Sequence, residues 1–171
     1  LKNAADTGHG LDLDAMAMEV ANNYAAYKSK EKAIGNLDYA KLPCVNHPVF
    51  KGKDVNYDPR EVFVRDLFKD KGINNVFLDF YHRLVQALFK AKVSKNVYCV
   101  NIDAVIAVIL LKVVWSDFKD GKMKEEDVES ASFATFLFGR MIGCAAEIDD
   151  HTSRGKNMDT RTPASQVRYV G

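Results

Sequence analysis

Asp103 stands at the head of the most apolar stretch of the chain, Ala104 to Leu111, directly after Asn101-Ile102. A carboxylate beside such a run loses part of its hydration, so its proton affinity is expected to be tuned toward that of a base able to act on carbon. Upstream lie His47, within Asn46-His47-Pro48, and Arg60, within Asp58-Pro59-Arg60; downstream lies Arg140, within Gly139-Arg140-Met141-Ile142-Gly143. A base, a histidine able to polarise a carbonyl and two forked cations form a set suited to deprotonating a thioester beside a polycarboxylate.

These residues need elements to hold them. At 171 residues the chain is long enough for one domain with a real core, burying roughly 70% of its unfolded surface. The 24 basic and 23 acidic residues leave a net charge of +1, so no global field gathers nucleic acid, and phosphate binding must be local. The cysteines Cys44, Cys99 and Cys144 are odd in number and lack metal-ligand spacing. They read as small apolar fillers in a reducing compartment, which points to the cytosol. The longest apolar run, Ala104 to Leu111, is too short to span a bilayer, so a soluble protein without a membrane partner is expected. The chain opens at Leu1 without a visible signal peptide, as a trimmed piece or the back portion of a longer polypeptide would.

Helical periodicity dominates. Leu13, Met16, Ala17, Val20 and Tyr24 predict an amphipathic helix from Asp12 to about Ser29, with Asp12 as its cap. A connector holding Pro43, Pro48, Gly52 and Pro59 follows, either an ordered functional loop or a plain crossing. Pro59 suits a first helical turn, with Val62, Phe63, Leu67 and Phe68 as a buried stripe and Lys71-Gly72 as the stop. Asn74 or Asn75 caps a helix whose stripe is Val76, Phe77, Phe80, Leu84, Leu88 and Phe89. Val97 to Val100 is a candidate extended segment. From Ile102 to Trp115 the apolar residues predict a central buried helix, and Glu125-Glu126-Asp127 opens a last helix to about Asp150. Residues from His151 onward read as a polar tail without a core of its own. The fold class is an all-α bundle.

In this order, Asn46-His47-Pro48, Asp58-Pro59-Arg60, Asn101-Ile102-Asp103 and Gly139-Arg140-Met141-Ile142-Gly143 resemble the signatures of the citrate synthase superfamily. Gly8-His9-Gly10 resembles its H-G-G-A stretch, although this chain continues Leu11-Asp12. Arg161-Thr162-Pro163 with Tyr169-Val170 resembles the ending of ATP-citrate lyase and citryl-CoA lyase. The resemblance covers the chain from about His9 and corresponds to the last part of a family member.

That resemblance implies a citrate synthase-like helical bundle, with residues 1–40 on the large-domain side, 41–150 as the small substrate domain, and 151–171 as a tail reaching a neighbouring subunit. It implies an acyl-CoA carbon–carbon lyase or synthase that interconverts citryl-CoA with acetyl-CoA and oxaloacetate through a thioester enolate. Asp103 is then the base, His9 the donor to the thioester oxygen and His47 the group at the ketone. Arg60, Arg140 and Arg161 hold substrate carboxylates. Lys51, Gly52 and Lys53 are suited to CoA phosphates or form a solvated charged turn. Coenzyme A is implied as the substrate thioester, with no metal, and a homodimer or larger homo-oligomer is expected. Citrate or 2-methylcitrate synthase, and a non-catalytic scaffold of the same fold, are the alternatives. Glu147, where several family members carry a histidine, is a departure.

Overall fold

A computed structural model describes residue 10 and residues 12–154. The described chain is all-α, with helices α1 (Leu13–Ala33), α2 (Pro59–Asp70), α3 (Val76–Lys90), α4 (Ile102–Val113), α5 (Trp115–Lys119) and α6 (Glu125–Arg154). It clusters into two compact units, the first ending at Ser132 and the second beginning at Phe133.

In the first unit α1 packs along α3, and α4 packs against α2, α3 and α5. Asp12 caps α1 by accepting from the Ala15 amide at 2.9 Å, and the helix runs four residues past the expected end at Ser29. Its buried face is Ala17 and Ala21 rather than a large-residue stripe, with Val20 exposed. Small side chains let the two backbones approach, so α3 can lay Leu84, Ala87 and Leu88 against them. Asp14 and Arg83 form an ion pair across the same contact.

Asn75 caps α3 by accepting from the Phe77 and Leu78 amides at 3.1 and 3.3 Å, while its own amide donates to the Val108 carbonyl at 3.1 Å. One buried residue therefore both starts α3 and fastens it to α4. Leu84 and Leu88 are buried as the stripe requires, but Phe89 is exposed. The second core cluster joins Phe77, Leu78, Val85, Val97, Val100, Ala104, Val105 and Val108.

Two helices depart from expectation. On α2, Phe63 and Leu67 are exposed and the fully buried side chain is Glu61; Val64 and Phe68 are the apolar residues that meet the core. The helix is turned so that Glu61 of its first turn faces inward while Phe63 and Leu67 face out. It ends as expected at Gly72, whose φ of 65° lets Ile73 donate back to the Phe68 carbonyl at 2.8 Å. The apolar run from Ile102 is buried only along Ala104, Val105 and Val108, breaks at Val114, and leaves Val113 77% exposed. It is a one-faced helix, not a central one.

Val97 and Val100 are extended and form isolated bridges, parallel to Val55 and antiparallel to Val45. α6 begins at its acidic first turn as expected but continues through His151, which is buried. Cys144 is exposed on this helix rather than filling a core, as are Phe133, Phe138, Met141 and Ile142. By length and composition α6 could cross a membrane, a property missed by counting uninterrupted apolar runs because serine, threonine, glycine and one arginine interrupt them. A single such helix is weak evidence for a membrane.

Candidate functional site

The site begins with backbone held in an unfavourable region. Cys44 and Asn46 have φ of 61° and 67°, a conformation that costs a side-chain-bearing residue roughly 1–2 kcal/mol. The cost is offset by the bridge to the extended segment: the Asn46 amide donates to the Cys99 carbonyl at 2.7 Å, and the Asn101 amide donates to the Cys44 carbonyl at 3.1 Å. These bonds fix residues 44–47 against the N-terminus of α4.

His47 projects from this segment. Its Nδ1 lies 3.1 Å from the Val49 amide and 3.4 Å from the Phe50 amide, so that nitrogen accepts and the proton of the neutral ring sits on Nε2. The imidazole stacks on the Phe50 ring with centroids 4.6 Å apart and planes at 27°. The Arg60 guanidinium lies 5.8 Å from the centroid of the same ring.

Asp58 ties the corner together. Its side chain has no exposed surface. It caps α2 through the Arg60 amide at 3.0 Å, grips the Arg60 side chain at 2.9 Å (Nε) and 2.7 Å (Nη2), and accepts from the Ile102 amide at 3.2 Å. Burial alone would raise this carboxyl, but the Arg60 bonds and the Ile102 amide outweigh it and hold it below the usual carboxylate range. Asp58 thus joins the first turn of α2 to the first turn of α4, where Asn101 caps the helix by accepting from the Asp103 amide at 2.7 Å.

Asp103 follows in that turn, with Oδ1 buried and without a hydrogen-bond partner. A buried carboxylate oxygen with nothing donating to it is the environment a carbon base needs, since no donor competes for its lone pair. The Cys44 thiol is pushed up by burial and then by the negative charge of Asp103. Cys99, buried behind them, is pushed up to about 11 by burial and by Asp58.

His47, Arg60 and Asp103 are therefore carried by one bonded framework, while the remaining sequence candidates are placed otherwise. Lys51 and Lys53 are exposed on the loop after His47, with Gly52 at φ 94°. Lys53 lies over the Tyr57 ring at 5.0 Å, beside a pocket of about 250 Å³ lined by Val49, Phe50, Asn56 and Pro59. Arg140 belongs to the second unit, where it is exposed with its guanidinium 5.1 Å from the Phe136 ring. His9 and Arg161 lie outside the described residues. Among the described residues no group of three or more potential ligands could hold a metal ion.

No family model, curated protein or solved structure matches the chain. The citrate synthase resemblance thus rests on the motifs alone.

Two features escaped the sequence reading. Phe50 gave no signal beyond its position three residues after His47. The other is a cleft of about 880 Å³ between α2 and α3, where buried Glu61 lies 2.9 Å from His82 Nε2 and 3.8 Å from Arg65. The Glu61–His82 contact is off the hydrogen-bond line, leaving both buried atoms unbonded. The only available signal was Glu61 three residues after the cap Asp58, which reads as ordinary helix-start chemistry.

Proposed function

We propose that the chain carries part of the active site of a citrate synthase-type acyl-CoA carbon–carbon lyase or synthase, interconverting citryl-CoA with acetyl-CoA and oxaloacetate. The observation that carries the reading is the double grip of Asp58 on Arg60 and on the Ile102 amide. It draws two motifs that are 44 residues apart in sequence into one corner, beside the backbone that presents His47.

In the condensing direction Asp103 Oδ1 takes the α-proton of the acetyl thioester, and the resulting enolate carbon attacks the ketone carbon of oxaloacetate. The ketone oxygen takes the proton from His47 Nε2 and becomes the hydroxyl of citryl-CoA. Cleavage starts from the opposite protonation state, with Nε2 of His47 deprotonated and taking the hydroxyl proton, and with Asp103 protonated and returning its proton to carbon. The resemblance assigns His9 to the thioester oxygen, a donor role typically worth about 3 kcal/mol. Arg60, with its plane fixed by Asp58, holds one carboxylate, and Arg140 and Arg161 hold others by the same resemblance. Lys51, Gly52 and Lys53 receive CoA phosphates. A cytosolic homo-oligomer fits this reading.

Cleavage of citryl-CoA tests it, followed as oxaloacetate release coupled to a nicotinamide-consuming reductase. Turnover that falls sharply in Arg140→Leu through weaker carboxylate binding supports the reading. Formation of free citrate and CoA from acetyl-CoA and oxaloacetate without nucleotide assigns the synthase instead. Neither reaction, together with no binding of CoA or citrate by calorimetry, leaves the scaffold.

A further inference from the structure

His47 stands on a loop, and a loop histidine needs its ring plane fixed before its Nε2–H can be aimed. Two backbone amides reach Nδ1, at 3.1 and 3.4 Å, and the longer of these is at the weak end of hydrogen bonding. They restrain one ring atom but leave the faces of the ring unsupported. The Phe50 ring covers one face at 4.6 Å and is itself 5.8 Å from the Arg60 guanidinium, which Asp58 holds from its other edge. Phe50 also forms part of the wall of the pocket beside Lys51 and Lys53. It has no group able to exchange a proton, so any influence on a reaction passes through its neighbours.

We infer that Phe50 is a positioning residue, whose ring sets the orientation of His47 and steadies Arg60 between the carbonyl-polarising and carboxylate-binding halves of the site. The kinetic side of this assignment rests on the function proposed above; the orientation of His47 does not. A flat aromatic face is what the role requires, since stacking on imidazole and contact with a guanidinium both use the ring's π-surface. Leucine or methionine at this position fills similar volume without that face.

The test compares the full chain with Phe50→Tyr, Phe50→Leu and Phe50→Met, reading the ring nitrogens of His47 by ¹⁵N NMR alongside kcat and KM for citryl-CoA. The parent and Phe50→Tyr are expected to show an unprotonated, accepting Nδ1 and a protonated Nε2. Phe50→Leu is expected to share the proton between the two nitrogens and to lower kcat about three- to tenfold with KM little changed. Phe50→Met serves in its place should Phe50→Leu fail to fold. His47 signals in the folded aliphatic variant identical to those of the parent overturn the assignment. If the parent turns over no citryl-CoA, the functional proposal falls, and the NMR comparison alone decides the role of Phe50.

Discussion

The first turn of α2 has two sides with opposite characters. On one, Asp58 is wholly buried and every contact it makes is a well-formed hydrogen bond, to Arg60 and to the start of α4. On the other, Glu61 is 2% exposed and meets His82 of α3 and Arg65 of its own helix in the wall of a cleft of about 880 Å³, with Oε1 and His82 Nε2 unbonded. Volume therefore sits on one side and converging chemistry on the other. A cleft can be large because its walls merely fail to meet, whereas a buried carboxylate with all its partners in place organises what surrounds it.

Removing the organiser should have the larger consequence. Asp58→Ala leaves Arg60 without its partner and the Ile102 amide without its acceptor, and is expected to cost about 3–5 kcal/mol in denaturant unfolding. A loss below 1 kcal/mol would place Asp58 on the same footing as Glu61. Next is acid. Because the folded-state carboxyl of Asp58 is held below its unfolded value, its contribution is fully present above the unfolded range near pH 4 and is lost as pH falls through the lower folded value. Parent stability should therefore fall below about pH 4, with a shallower fall in Asp58→Asn; equal slopes would contradict the assignment. The smallest effect belongs to Glu61→Gln, expected to change stability by about 1 kcal/mol or less, since an imperfect contact is exchanged for a neutral one. A loss comparable to that of Asp58→Ala would reverse the comparison.

The sequence disclosed the elements more readily than their faces. Caps at Asp12 and Asn75, Pro59 in the first turn of α2, the stop at Gly72 and the acidic start of α6 are local devices, each defined by a residue and its next few neighbours, and each appears in the structure. The rotation of α2 was not legible because Phe63 and Leu67 outbid Glu61 on any hydrophobic scale. Its burial goes with its tertiary contact with His82 of α3, beside the local pairing with Arg65 one turn along α2. For the same reason the run from Ile102 overstated its depth, since apolarity on every face does not say how many faces are covered. At the site, the motif residues were visible in order, but the framework joining them consists of main-chain bonds from Cys44, Asn46 and Ile102 that no side-chain pattern announces. Phe50 was hidden because an aromatic three residues from a histidine is unremarkable until the loop folds the two together.

The most direct test places the two sides of α2 in one assay. Citryl-CoA cleavage is measured for the parent, Asp103→Asn and Glu61→Gln at matched concentration, with helical content checked for each. The account predicts turnover reduced by about 10²–10⁴ in Asp103→Asn, which removes a base without changing shape, and turnover within a factor of about two of the parent in Glu61→Gln. Loss of activity in Glu61→Gln with Asp103→Asn unaffected would move the chemistry to the large cleft and contradict the site proposed at His47, Arg60 and Asp103.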